Sequence, residues 1–214
     1  MIRKHRELAY RGFTLIEALV TLAILAIAMV LGIPALSNLI SRSRLQSAAQ
    51  ELAVLTQRAR LEAIKRRVQT VVEVDPATGA VFAYADVDGA DESDPPDLVF
   101  NPVSGALSFD TDYRIGQTEP RNGVEVAAPT GGGPAIDGLT PDPGGTRVAV
   151  FRPTGAAEAA GGFRLGDAAG LNFLEVRIEP AGTGRVELRK WDRDKNEWYA
   201  HREGGRPWTW YTGP

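Results

Sequence analysis

The chain has 214 residues, enough for one domain plus an anchor or for two small domains, and its formal net charge is −3. That balance excludes a generic nucleic-acid binder, which would be basic overall. The absence of cysteine excludes disulfides, thiolate chemistry and cysteine-ligated zinc, and His5 and His201 are too few for a histidine-rich metal site.

The first twelve residues are basic: Arg3, Lys4, Arg6 and Arg11 stand against Glu7. Positive charge ahead of an apolar span marks an end that stays in the cytoplasm. From Phe13 to Ile40 the only charged residue is Glu17. At ~1.5 Å of rise per helical residue, such a segment is expected to cross a hydrocarbon core of about 30 Å. A cleaved secretory signal would have a shorter apolar core and a small-x-small cleavage site. A plain anchor accounts for the length but leaves Gly12 and Glu17 without a role. An acid inside an apolar segment is costly and needs a partner.

Gly12-Phe13-Thr14-Leu15-Ile16-Glu17, followed by Ala18-Leu19-Val20-Thr21-Leu22-Ala23-Ile24-Leu25, resembles the class III signal of type IV pilins and pseudopilins. The resemblance implies cleavage by a prepilin peptidase between Gly12 and Phe13, then N-methylation of Phe13. A physical role for Glu17 follows. The acid of one subunit neutralises the new Phe13 amine of the next, and the pair offsets a desolvation cost that neither charge bears alone. Further along, Pro34 removes a helical hydrogen bond two residues after Gly32. This is either a tolerated kink or, as the resemblance implies, the place where the helix unwinds during filament assembly.

Beyond Ile40 the pattern turns amphipathic. Leu45, Ala48, Ala49, Leu52, Leu55, Ala59 and Ala63 recur at three- and four-residue steps, with Arg42, Arg44, Gln50, Arg58, Arg60 and Lys65 mostly off that face. One long helix is expected over 13–67, with 13–40 as its membrane-spanning half and 41–67 as its amphipathic half. Lys65-Arg66-Arg67 complements the C-terminal end of the helix dipole. From Val68 the period changes to two. Val68, Thr70, Val72 and Val74 alternate as in a half-buried strand, Asp75-Pro76-Ala77-Thr78-Gly79 reads as a turn, and Val81-Phe82-Ala83-Tyr84 forms the return strand. Further strands are expected at 98–100, 106–109, 147–152, 162–165, 173–179 and 184–191. Residues 86–97, acidic and proline-containing, and 127–145, rich in glycine and proline, read as surface loops or insertions.

The head narrows the resemblance. Arg60-Leu61-Glu62-Ala63-Ile64-Lys65-Arg66 ahead of a strand is one element of it. Val150-Phe151-Arg152-Pro153-Thr154-Gly155, Gly161-Gly162-Phe163-Arg164-Leu165, Val176-Arg177-Ile178-Glu179-Pro180 and Gly182-Thr183-Gly184-Arg185-Val186 are the others. Together they resemble the GspH/FimT family of minor pseudopilins and minor pilins, with 85–146 outside the match. The resemblance implies an α+β, type IV pilin-like fold: a long N-terminal transmembrane and amphipathic helix packed on a β-sheet-rich globular head. It implies a leader at 1–12, the helix at 13–67 and a periplasmic head at 68–214, with Gly155 and Gly184 in turns between strands. The function implied is that of a minor pseudopilin, a structural component of the type II secretion pseudopilus that serves protein secretion across the outer membrane. The alternative is a minor type IV pilin for pilus priming or DNA uptake. The implied partners are the prepilin peptidase/N-methyltransferase, the other major and minor pseudopilins, and the inner membrane. That membrane would be crossed once, with the N-terminus cytoplasmic and the head periplasmic.

The sequence contains no paired nucleophile and base, phosphate-binding glycine loop or metal cluster, so no enzyme is expected. No cofactor is expected either, unless the acidic stretches take calcium. Asp86-x-Asp88-Gly89-x-Asp91-Glu92 has oxygen ligands but misses the EF-hand register. Asp192-x-Asp194-x-Asn196 with Glu203 fits the spacing better, yet carries Glu197 where that loop needs glycine. Flanking Trp191 and Trp198 suggest instead a hairpin that turns at Asp194-Lys195-Asn196. The tail interleaves Arg202 and Arg206 with Trp208, Trp210 and Tyr211, cations among stacking rings, which single-stranded nucleic acids favour. Some FimT-type members bind DNA through a C-terminal Gly-Arg-x-Arg. Here Gly184-Arg185-Val186-Glu187 and Gly205-Arg206-Pro207-Trp208 both lack the second arginine. The competing reading is a terminal strand whose aromatics cover the head or meet a neighbouring pilin.

Overall fold

The computed structural model describes residues 13–75, 78–85, 113–118, 123–141, 147–200 and 208–211. The leader with Gly12, the expected strands at 98–100 and 106–109, the acidic stretch from Asp86 to Glu92, and Arg202, Glu203 and Arg206 lie outside the described residues. The chain divides into two compact units, Met1–Ile40 and Ser41–Pro214.

Helix α1 runs from Leu15 to Arg66, built mainly from good helix formers such as Ala, Leu and Arg. Thr14 caps it: the Thr14 Oγ1 accepts the Glu17 backbone N–H at 3.3 Å. Thr14-x-x-Glu17 has the residue types of a capping box, and the acid sits where the helix dipole favours it. At the other end Arg67 takes a left-handed φ of 60° while its N–H still reaches the Ala63 carbonyl at 2.9 Å, which closes the last turn. Lys65 and Arg66 both pair with Glu62, at 3.5 and 2.8 Å.

The expectation of a membrane-crossing half fails. Among the described residues no helix is long and apolar enough to cross a membrane. Polar groups interrupt the apolar run: Glu17 and Thr21 near its start, Ser37 and Asn38 near its end, then Arg42 and Arg44. A crossing helix needs about 20 predominantly apolar residues. The apolar side chains described in this unit are nonetheless exposed, Phe13 at 78% and Leu15 at 79%.

In the second unit α1 is followed by β1 (Thr70–Val74), β2 (Val81–Ala85), β3 (Tyr113–Thr118), β4 (Val124–Val126), β5 (Ile136–Asp137) and β6 (Thr140–Pro141). Then come β7 (Arg147–Phe151), β8 (Gly161–Asp167), β9 (Phe173–Ile178), β10 (Val186–Asp192) and β11 (Glu197–Ala200). One sheet has the order β3-β2-β1-β7-β6, and the other has β11-β10-β9-β8-β4, with β5 also paired to β8. The β1–β2 hairpin has the expected place, Thr70 opposite Ala85 and Val74 opposite Val81.

The amphipathic face of α1 packs in one core with residues of both sheets. Leu45, Ala49, Leu52, Leu55, Ala59 and Ala63 are buried in one cluster with residues of both sheets, among them Val72, Ala83, Phe163 and Val176. The alanines let backbone approach backbone, and each fully buried leucine contributes about 1.5–3 kcal/mol. Strand β1 is more buried than simple alternation suggests. Val72 and Val74 face the helix side, while Val71 joins Phe82, Tyr84, Val148 and Val150 in a second cluster.

The segment 127–141 also departs from a plain surface loop. It contributes β5 and β6, and Pro129, Gly132 and Leu139 are buried. Positive φ at Gly133 and Gly138 permits the close approach. A Cβ at Gly138 would run into the Ala160 carbonyl.

Candidate functional site

At the N-terminal end, Phe13, Thr14 and Glu17 lie within one helical turn. Phe13 and Glu17 are both exposed. Gly32 and Pro34 fall inside α1, whose helical backbone continues across them.

In the second unit, the sequence motifs from the head converge. The Arg60 Nε of α1 donates to the Gly155 carbonyl at 2.9 Å. Gly155 has φ 80° and Gly184 φ 58°, so both turns need the left-handed region that glycine favours. They also need the missing side chains, because a Cβ on Gly184 would strike the Gly155 oxygen and one on Gly155 would meet Ile64. The Ala157 N–H donates to the Ala181 carbonyl at 2.7 Å and ties the two turns together.

Strand alternation sends charge to the other face of the second sheet. Leu174, Val176 and Ile178 point to the core, so Glu175 and Arg177 point away. Arg164 and Glu175 are directly paired across β8 and β9. Both are almost fully buried, and the Arg164 Nε donates to Glu175 at 2.8 Å. Arg164 also donates to Asp137 at 3.0 Å and to the Pro134 carbonyl at 2.6 Å. The ion pairs continue from Asp137 to Arg177, on to Glu179 and then Arg189. The 127–141 segment and Trp198 close over the buried end. The Arg164 guanidinium lies 5.2 Å from the Trp198 ring centroid, and Trp198 donates to the Gly132 carbonyl at 3.2 Å. Such a network is costly to break at one partner but is weak evidence of stability in itself.

The β10–β11 hairpin pairs Trp191 with Trp198, as expected. The Asp192 Oδ1 accepts the backbone N–H groups of Asp194 and Lys195 at 3.0 and 3.3 Å, and Asn196 has φ 56°. This carboxylate therefore shapes the turn. Among the described residues no group of three or more His, Cys, Asp or Glu could hold a metal ion.

The end of the tail returns to this hairpin. Trp208 and Trp210 are half-buried, their rings edge-to-face at 6.4 Å. The Asn172 side chain spans one residue of the tail: its Oδ1 accepts the Tyr211 N–H at 2.9 Å and its Nδ2 donates to the Tyr211 carbonyl at 3.0 Å. Beneath lies Lys190, with no exposed surface, its Nζ 5.0 Å from the Trp210 ring centroid and 5.3 Å from that of Tyr211. Burial pushes the Lys190 ammonium down to about 8, and burial pushes the Tyr211 phenol up. Lys190 and Asn172 are not among the residues read from the sequence as candidate sites. A signal for Lys190 exists: Val186, Leu188 and Lys190 alternate on one strand face, which puts a lysine in core register.

Comparison with curated proteins finds no match. Among solved structures, the chain is similar to the type IV minor pilin FimU of Pseudomonas aeruginosa (strain PAO1), with 16% identity over 69% of this chain and 89% of that one, at a TM-score of 0.42. It is also similar to the minor pseudopilin EpsH from the type 2 secretion system of Vibrio cholerae, with 16% identity over 68% and 94%, at a TM-score of 0.38. At these values neither likeness carries an argument. Residues 9–33 match the prokaryotic N-terminal methylation motif. Residues 48–182, well over half of the chain, match the type II transport protein GspH, and the chain belongs to that family.

Proposed function

We propose that this chain is a minor pseudopilin, a structural subunit of a type II secretion pseudopilus that joins its neighbours through Phe13 and Glu17. The observation that carries the reading is the union of a methylation motif at 9–33 with a GspH match at 48–182 in one chain. The exposure of the first unit supports it. Fifteen large apolar side chains from Phe13 to Ile40 are each at least 42% exposed. Burying each is worth about 1.5–3 kcal/mol, so together they call for a non-aqueous environment. The inner membrane supplies one before assembly, and neighbouring subunits supply one in the filament.

The prepilin peptidase cuts between Gly12 and Phe13 and the Phe13 amine is methylated. The leader, residues 1–12, carries the arginines and lysine that favour the cytoplasmic side, and the first unit anchors the chain at the inner membrane. Glu17 of one subunit neutralises the Phe13 amine of the next. Gly32 and Pro34 mark where the helix, 13–67, unwinds on assembly. The role is structural rather than enzymatic. The Trp208 and Trp210 rings are engaged within the head, which favours a covering role for the tail over nucleic-acid stacking.

The mass of the mature chain tests the processing step. Loss of residues 1–12 with gain of one methyl group is expected, and retention of the leader would overturn the reading. Filament incorporation of Glu17→Ala and Glu17→Val tests assembly, and wild-type incorporation of both would remove the role given to Glu17. A deletion strain separates the two systems. Exported proteins should stall in the periplasm, whereas lost piliation with normal secretion would point to a pilus.

A further inference from the structure

We infer that Asn172, Lys190 and Arg193 form a receptor for a short peptide bearing two adjacent aromatic residues, filled here by the chain's own Trp210-Tyr211 and able to take those of a second copy. The head itself orients the central amide of the receptor, and with the tail seated Asn172 is 2% exposed. Its side-chain Nδ2 donates to the Asp167 Oδ2 at 2.9 Å, and the Asp167 Oδ1 accepts the Leu171 N–H at 2.8 Å. That arrangement fixes the amide plane and leaves its oxygen and second hydrogen for the ligand. Both go to the backbone of Tyr211, so the clamp reads a peptide unit rather than a side chain.

The rings are read separately. Lys190 meets both Trp210 and Tyr211. Arg193, held by donation to the Gly170 carbonyl at 3.0 Å, lies 5.4 Å from the Tyr211 ring centroid. Two cations on one tyrosine select an electron-rich ring. A further grip comes from Tyr199, whose hydroxyl accepts the Thr209 N–H at 3.2 Å.

The occupant is argued from the chain itself. Every copy carries the ligand at 208–211 and the receptor on β8–β11 and their turns. Ligand and receptor are separated in sequence, because β11 ends at Ala200. The same contacts can be made between two chains as within one, which is the geometry of element exchange. Tethering favours the internal arrangement through an effective concentration of order millimolar, so exchange belongs where copies are crowded. The inference stands apart from the pseudopilin reading, since it uses only head residues.

The test removes the internal competitor. The chain ending at Pro207, kept in detergent, is titrated with a labelled synthetic peptide of residues 205–214, and polarisation is read. Saturable one-to-one binding is expected, about tenfold weaker or worse in Asn172→Ala because two hydrogen bonds are lost. No saturation with a truncated chain of native circular dichroism would overturn the inference, as would equal binding of a scrambled peptide. Should the truncated chain not fold, full-length chain carrying Trp210→Ala and Tyr211→Ala together, which keeps the chain length and empties the ring sites, takes its place in the same titration. Saturable binding that Asn172→Ala diminishes is expected, and no saturation in this chain with native circular dichroism would overturn the inference.

Discussion

Replacing Lys190 with methionine tests whether a charge is held inside the head. The ammonium has no exposed surface, and burial lowers its pKa from 10.5 to about 8. Asp192 and Asp167 pull it back up, Arg42 and Arg193 push it further down, and the Trp210 and Tyr211 rings close over it. Because the folded pKa lies below the unfolded one, the folded chain binds fewer protons between about 8 and 10.5. Stability therefore rises with pH across that window, and the penalty is fully present below it. At about 1.4 kcal/mol per pH unit, the full penalty is roughly 3 kcal/mol, of which about 2–3 kcal/mol is recovered between pH ~7 and ~10. Methionine keeps the side-chain length and removes the charge, so Lys190→Met should lose that rise. Denaturant unfolding of the full chain in detergent measures it, followed by the emission of the four tryptophans, all within 191–210. Subtracting the two profiles cancels the titration of the tyrosines and other lysines. Equal pH slopes for the two chains would refute the reasoning.

Two glycines of one turn should behave oppositely. Gly184→Ala needs a left-handed φ and collides with Gly155, so it should cost more than about 1 kcal/mol. Gly182→Ala, whose added Cβ meets nothing within 4 Å, should be neutral or stabilising by up to about 1 kcal/mol. Denaturation midpoints compare them. Arg164→Met strips Glu175 of its 2.8 Å partner inside the head and should cost about 3–5 kcal/mol, while adding Glu175→Leu should restore most of it. A double-mutant cycle by thermal unfolding reads the coupling. Leu52→Ala opens a hole where α1 meets both sheets and should cost about 2–5 kcal/mol, visible in the same assay.

Features set by neighbours in sequence were legible beforehand. The face from Leu45 to Ala63 follows from the helical period. The hairpins at 70–85 and 186–200 follow from strand runs flanking turn residues, down to Trp191 opposite Trp198. Features set by distant neighbours were not. Strands β5 and β6 have only two residues each and gain their pairing from β8 and β7, so the Gly/Pro-rich composition around them read as loop. The run from Phe13 to Ile40 reads as a spanning segment by length, yet among the described residues no helix is long and apolar enough to cross a membrane.

The sequence by itself determined the leader motif, the amphipathic helix and the α+β class, because periodicity and short motifs are local properties of the chain. Only the tertiary structure decided the fate of the tail. Nothing local to Trp210 and Tyr211 says that they close over Lys190 and are clasped by Asn172, 39 residues away. That outcome depends on the β9–β10 pairing, which sets Lys190 opposite Leu174, two residues from Asn172, and no spacing rule along the chain encodes such a meeting.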